Sequence, residues 1–259
     1  MKNTPELFQQ LLDIMDKLRN GCPWDKKQTF ETLRKLTIEE TYELGDAILQ
    51  KNMDEIKKEL GDLLLHIVFY AKLGAEQNAF NINDVIEGIC KKLIYRHPHV
   101  FSDTKVENAG EVMQNWEDLK RKEGTKSVLS GIPTSLPAMV KANRIQEKVR
   151  AVGFDWEKKD QIWDKIQEEL GELKQEVQDE NQQNIENEFG DLIFSIINAA
   201  RLYEVDPESA LERTNQKFMN RFKYLEGQTI NKGVALKNMT LDDMNEIWNQ
   251  SKKHDTTCD

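Results

Sequence analysis

The feature that most constrains this chain is that it repeats itself at one fixed spacing. Glu39-Glu40-Thr41-Tyr42-Glu43 is followed by Glu59-Leu60-Gly61-Asp62, and 129 residues later Glu168-Glu169-Leu170-Gly171-Glu172 is followed by Glu188-Phe189-Gly190-Asp191. The same spacing of 129 pairs Leu44 with Leu173, Asn52 with Asn181, Ile56 with Ile185, Leu63 with Leu192 and Ala71 with Ala200. A register that holds without a gap across two periodic segments and their turn marks a tandem duplication. Downstream the register slips by a few residues, as loops allow. Lys92 and Arg96 then match Lys217 and Arg221, and Trp116 with Lys120 matches Trp248 with Lys252. Upstream, Trp24-Asp25 resembles Phe154-Asp155.

The repeated unit reads as helices. Thr4-Pro5 starts the first, with Thr as N-cap and Pro in the first turn. Leu7, Leu11, Ile14 and Leu18 follow at the spacing of one buried helical face. A second helix is expected from about Thr29 to Gln50. Asn52-Met53-Asp54-Glu55 reads as a capping box opening a third. A fourth opens near Asn83 and stops before Pro98, because Pro lacks the N–H and clashes with the preceding turn. A further short helix carries Trp116. Beyond the Pro/Gly/Ser cluster Ser130–Pro137 the pattern restarts, with helices expected near 137–150, 160–179, 183–204, 207–226 and 241–253. No strand-length alternation occurs. The expectation is an all-α fold: two four-helix-bundle domains, 1–129 and 138–259, joined by a linker at 130–137.

The recurring acids have a geometry. Glu40 and Glu43 are three apart and share a helical face; Glu59 and Asp62 do the same on the next helix. Two helices joined by a short turn pack antiparallel, so four carboxylates can converge. Unpaired, they would repel and raise each other's pKa values. A hard divalent cation relieves that cost, and Mg²⁺ prefers such oxygen ligands. Neither half has the Glu-x-x-His pairs of a di-iron bundle. For any single Glu, a solvated helix face is the competing reading.

The pattern EExxE, a gap, then ExxD resembles that of the MazG-type nucleoside triphosphate pyrophosphohydrolases, all-α enzymes related to dimeric dUTPases. The similarity extends along nearly the whole chain. Gly21-Cys22-Pro23-Trp24-Asp25, Gln28-Thr29, Asp46-Ala47-Ile48, Arg96-His97-Pro98-His99-Val100-Phe101, Leu136-Pro137-Ala138 and Val152-Gly153-Phe154-Asp155-Trp156 all look like signatures of full-length bacterial members. Two positions depart from the family: Phe30 stands where His is expected and Leu36 where Tyr is usual.

The resemblance implies that nucleoside triphosphates are cleaved to a monophosphate and pyrophosphate, with the second half as the main catalytic one. Glu169, Glu172, Glu188 and Asp191 would hold Mg²⁺, with Mn²⁺ as a substitute; Glu40, Glu43, Glu59 and Asp62 form the second candidate set. Glu168 would orient water or support a ligand, or be a surface Glu. Lys217 and Arg221, i and i+4, would bind phosphate, with Lys92 and Arg96 as counterparts. Lys165 would reach a phosphate or pair with Glu169. Trp248, like Trp116, would stack on a base or cap the bundle. His66 reads as packing, and His97 and His99 as no metal ligands. The resemblance also implies a homodimer, because relatives bury bundle faces across a two-fold axis.

Charge and composition exclude other classes. Lys+Arg is 36 and Asp+Glu is 46, a formal net charge of −10. That opposes binding to a nucleic-acid polymer, which needs basic surface to displace counterions. The strongest apolar run, Leu63–Ala71, is too short for a membrane span, and Met1–Asn20 has no signal-peptide core. Cys22, Cys90 and Cys258 form neither a disulfide framework nor a thiolate zinc site, which fits a reducing cytoplasm. The alternative function is a nucleotide-binding regulator or helical interaction protein without turnover.

Overall fold

The computed structural model describes residues 3–102, 106, 108, 110–112, 115, 116, 119, 127–231 and 235–253. The described residues contain helices and no strand. The chain divides into two compact units, 1–119 and 120–259. Lys148 Nζ donates to the carbonyls of Val128 (3.1 Å) and Ser130 (3.2 Å), tying that segment to the second unit.

In the first unit the helices are α1 (Thr4–Gly21), α2 (Phe30–Leu49), α3 (Met53–Glu76), α4 (Ile82–Arg96) and a single turn, α5 (Pro98–Phe101). In the second they are α6 (Ala138–Arg150), α7 (Gln161–Gln178), α8 (Gln182–Leu202), α9 (Pro207–Asn231) and α10 (Leu241–Ser251). The packing repeats. α3 receives α1, α2 and α4, just as α8 receives α6, α7 and α9.

The turn between the paired helices shows why the register is so strict. α3 begins at Met53 and α8 at Gln182, again 129 apart. Lys51 and Glu180, one residue before each N-cap, both take the left-handed conformation (φ 55° and 54°). Asn52 and Asn181 then cap by accepting from the backbone N–H groups of Glu55 and Asn184. A three-residue connection of this kind returns the chain antiparallel and fixes which residues face each other.

The first helix differs from expectation in two ways. Its N-cap is Asn3, not Thr4: Asn3 Oδ1 accepts from Glu6 N–H and Glu6 reciprocates, closing the capping box one residue earlier. Its buried face is also rotated. Met15 is 1% exposed and packs with Phe8, Leu11 and Leu12, while the expected Leu7, Ile14 and Leu18 lie exposed. A helix that is apolar over much of its circumference does not reveal its inner side by spacing alone.

Each unit buries its own apolar cluster. The first joins Met15, Leu33, Val68, Phe69 and Leu73, with Phe30, Leu36 and Tyr70 packed against them. In the second, Ile162, Ala199 and Leu202 cluster with Ile166 alongside, and Leu173, Ile197, Leu225 and Ile247 are buried outside that cluster. Leu33 and Ile162 stand at equivalent positions and are each 1% exposed. Leu33→Ala and Ile162→Ala should each cost about 2–5 kcal/mol, by lost burial plus the cavity left behind. Urea unfolding of the full chain followed by Trp fluorescence and ellipticity checks this.

Candidate functional site

The sequence places acids on facing sides of α7 and α8, and the short turn brings them together. One carboxylate oxygen each from Glu169, Glu172 and Glu188 lie within 4.8 Å of one another. The first unit does the same with Glu40, Glu43 and Glu59. In both, the first-named Glu of the helix or its partner across the turn is buried: Glu169 is 6% exposed and Glu59 2%.

The crowding carries an electrostatic cost. Partial desolvation holds the Glu188 carboxyl above the usual range, and the charges of Glu172 and Asp191 push it the same way. Glu40 is raised by desolvation and then by Asp62 and Glu43. Asp62 and Asp191, one turn beyond Glu59 and Glu188, therefore belong electrostatically to their clusters. Glu59 Oε2 is buried without a hydrogen-bond partner. Clustered, partly desolvated carboxylates with an orphaned oxygen are what a hard cation would satisfy.

Each cluster carries one lysine, supplied from different places. In the second unit, Lys165 Nζ lies 2.7 Å from Glu168 Oε1 and 2.7 Å from Glu169 Oε1. Hydrogen bonds to those two carboxylates hold its pKa above the usual Lys range. The equivalent position in the first unit is Leu36, packed against the core. There Lys58 instead lies 2.9 Å from Glu59 Oε1, and that bond pushes it up to about 12. Its counterpart in the second unit is Asn187. His66 is 7% exposed and its pKa is lowered by burial, in keeping with a packing role; Ser195 replaces it in the second unit.

Beside the second cluster lies a cavity of about 510 Å³. Lys165, Glu169, Asp191, Gln146, Asn198 and Arg201 are among its lining residues. Gly153, in the left-handed conformation (φ 87°), turns the chain out of α6 and brings Phe154, Asp155 and Trp156 to the cavity. Asp155 accepts from Arg201 Nη1 (3.1 Å) and Nη2 (2.5 Å). Burial alone would raise the Asp155 carboxyl, but the Arg201 bonds, the Trp156 N–H and Arg150 hold it below the usual range.

Sequence reading missed Gln146, Asn198 and Arg201. A signal was present as a break in the repeat. At the spacing of 129, Asn198 replaces Phe69, which is 2% exposed in the first core, and Arg201 replaces Lys72, which pairs with Asp16 at 2.7 Å. A polar residue on the inward face of one copy marks where that copy encloses something other than core.

Apart from Lys165, the predicted cations of the second unit lie elsewhere. Lys217, Arg221 and Trp248 do not line this cavity. The Arg221 guanidinium sits 5.7 Å from the Trp248 ring centroid, and Phe218 packs on that ring at 4.9 Å. The first unit repeats the pair: Arg96 lies 5.4 Å from the Trp116 ring centroid, with His97 edge-on at 4.9 Å. Lys120, paired with Lys252 in the sequence, lies outside the described residues. α4 ends at Arg96, whereas α9 continues ten residues past Arg221.

Comparison with known proteins places the chain. The MazG nucleotide pyrophosphohydrolase domain matches it twice, over residues 28–101 and 157–225. The chain is 45% identical to the nucleoside triphosphate pyrophosphohydrolase/pyrophosphatase MazG of Thermotoga maritima, over 99% of this chain and 100% of that protein. It is 42% identical to the nucleoside triphosphate pyrophosphohydrolase of Escherichia coli K12, over 96% of this chain and 98% of that one. Two domain matches, coincident with the two halves of the duplication, make this chain a member of the MazG nucleotide pyrophosphohydrolase family.

Proposed function

We propose that this chain hydrolyses nucleoside triphosphates to nucleoside monophosphate and pyrophosphate, and that the second unit does the work. The observation that carries this is the cavity beside Glu169 and Asp191, lined by Asn198 where the first unit has the buried core residue Phe69. Both relatives described above are named as nucleoside triphosphate pyrophosphohydrolases.

A triphosphate brings several negative charges to a site that is already acidic, so a divalent cation must join them. Glu169, Glu172, Glu188 and Asp191 would hold Mg²⁺, with Mn²⁺ able to replace it. Such an ion supplies charge neutralisation at the phosphate oxygens and lowers the pKa of a bound water. The chain's residues do the rest. Glu168, released from Lys165, orients the attacking water and accepts its proton. Lys165 then turns to a phosphate oxygen. Lys217 and Arg221, outside the cavity lining, would bind the phosphate groups that extend beyond it, Arg221 being braced by Trp248. No nucleophilic side chain is required, because hydrolysis of this kind rests on positioning and charge.

Glu40, Glu43, Glu59 and Asp62 keep the acidic set in the first unit, which retains a cation site with less or no turnover. A homodimer is supported by exposed apolar stripes that repeat at the same spacing. Leu60, Leu64 and Ile67 on α3 match Phe189, Ile193 and Ile196 on α8, and all six are exposed. A second copy of the chain would bury them. None of the helices among the described residues is long and apolar enough to cross a membrane.

Three outcomes are expected. With Mg²⁺, ATP should yield pyrophosphate and AMP rather than ADP and orthophosphate, and excess chelator should abolish the reaction; phosphate-specific product analysis decides. Glu172→Ala should lower kcat by at least about 10²-fold, because a displaced reacting group costs that much, while Glu43→Ala should spare most of it. Equal losses in steady-state kinetics would make both units catalytic.

The raised carboxyls fix the sign of the pH effect on cation binding. Without a cation, Glu188 and Glu40 keep protons above the ordinary Glu range, and an ion must displace them. Mg²⁺ should therefore raise Tm by a few degrees at pH 8 and much less at pH 5. Thermal scans with and without Mg²⁺ at both pH values check this.

A further inference from the structure

The loop that leaves α6 is fastened to α8 by one ion pair. Asp155, just beyond the left-handed Gly153, accepts from Arg201 Nη1 (3.1 Å) and Nη2 (2.5 Å). Two parallel bonds of this kind make a bidentate guanidinium–carboxylate pair, which fixes direction as well as distance. The same guanidinium reaches Asn198, one turn back on α8, through Nε (3.0 Å) and Nη2 (2.7 Å). Asp155 Oδ1 also accepts from the Trp156 N–H (3.0 Å). The Arg201 side chain is 6% exposed and that of Asp155 21%. Gly153, Phe154, Asp155, Trp156, Asn198 and Arg201 all line the cavity, so the pair ties residues of its lining together across two elements.

The first unit fastens the corresponding loop in another way. Asp25 matches Asp155, but Lys72 stands where the second unit has Arg201, and it pairs with Asp16 on α1 at 2.7 Å. There Arg19 of α1 holds the loop by its backbone, donating through Nη1 to the carbonyls of Asp25 and Gln28, and pairs with Glu76 of α3 at 2.9 Å. A buried ion pair is weak evidence for stability, because desolvation offsets much of its attraction. The first unit anchors its loop without one. The side-chain clasp occurs in the unit whose cavity it lines.

We infer that Asp155 and Arg201 are positioning residues for the nucleoside triphosphate: their clasp fixes residues 153–156 and the Asn198 side chain in the cavity lining, and so sets how tightly the substrate is held rather than how fast it reacts. The inference rests on the reading of the second unit as the hydrolytic one, and deepens it. Among the described residues, the hydrogen bonds of the pair run to each other, to Asn198 and to the Trp156 N–H, and not to Glu169, Glu172, Glu188 or Asp191. Releasing the clasp therefore loosens the lining and leaves the acids assembled by their own turn. Charge alone does not suffice at Arg201. A lysine ammonium is a single point of charge and cannot span both Asp155 oxygens and Asn198 Oδ1 in one plane.

The test compares the full-length wild type with Asp155→Asn, Arg201→Lys and the double variant Asp155→Asn with Arg201→Gln. The double variant removes both charges together, so neither is left buried alone. Calorimetry in Mg²⁺ measures affinity for the non-hydrolysable α,β-methylene analogue of ATP, and steady-state pyrophosphate release from ATP gives KM and kcat. Each variant should weaken analogue binding about tenfold, the worth of one orienting bond. KM should rise alike, with kcat within about twofold of wild type. The double variant should be no worse than the single ones, because the two groups act as a unit. Without nucleotide, the amides of residues 154–156 should exchange hydrogen faster in the double variant. Arg19→Lys, which alters the other unit's anchor, should leave affinity, KM and kcat unchanged. Unchanged affinity in the double variant overturns the assignment, as does unchanged amide exchange. A fall in kcat at constant KM, the mark of a merely structural loss, overturns it too. Arg201→Lys behaving as wild type, or Arg19→Lys weakening affinity as much as the others, does the same. The expected affinity losses without pyrophosphate release from ATP sink the proposed hydrolysis and leave the clasp standing. Normal pyrophosphate release with unchanged affinities sinks the clasp alone.

Discussion

Everything in this molecule depends on holding like charges together across a helix pair. Glu169 and Glu172 on one helix and Glu188 on the next approach within 4.8 Å, and the first unit repeats the arrangement. Repulsion in such a cluster favours either protonation or a bound cation. What keeps it assembled is a three-residue turn with a left-handed residue and an Asn cap, placed identically in both halves. The turn sets the register, and the register sets which carboxylates meet. An insertion there would rotate one helix by about 100° per residue relative to its partner and disperse the acids, which is why the spacing of 129 survives where the flanking loops have slipped.

The duplicated units have diverged around this common frame. In the first, apolar residues occupy positions that are polar in the second: Phe69 for Asn198 and Leu36 for Lys165. Phe30, one of the two departures from the family, stacks on Tyr70 at 5.7 Å, and Leu36, the other, joins the same core. These side chains join one packed cluster with Met15, Leu33, Val68, Phe69 and Leu73. In the second, polar residues stand at the positions of Phe69 and Leu36, and a cavity lies beside the acids. Packing and ligand space compete for the same volume, and each copy has resolved that competition differently.

The distribution of lysines follows the same division. Lys165 spans Glu168 and Glu169 in the second unit, whereas in the first Lys58 pairs with its neighbour Glu59 on α3 itself. Lys165, one turn before the acids, lines the cavity. The cation–aromatic pairs Arg96–Trp116 and Arg221–Trp248, by contrast, are kept in both copies.

By itself the sequence determined the all-α architecture, the duplication, the helix bounds to within a few residues at most ends, and the convergence of the acids. Those follow from local rules: caps, proline, helical periodicity and a short turn, each readable from neighbours in the chain. Only the tertiary structure decided which side of α1 faces inward, because Leu7, Ile14 and Leu18 are as apolar as Phe8, Leu12 and Met15. It also revealed the cavity and its lining. Gln146 on α6, Asp155 in the following loop and Arg201 on α8 are scattered in sequence, and no periodicity links them. They come together because α6 and α7 both pack on α8, and the chemistry of an enclosed space depends on which helices close around it.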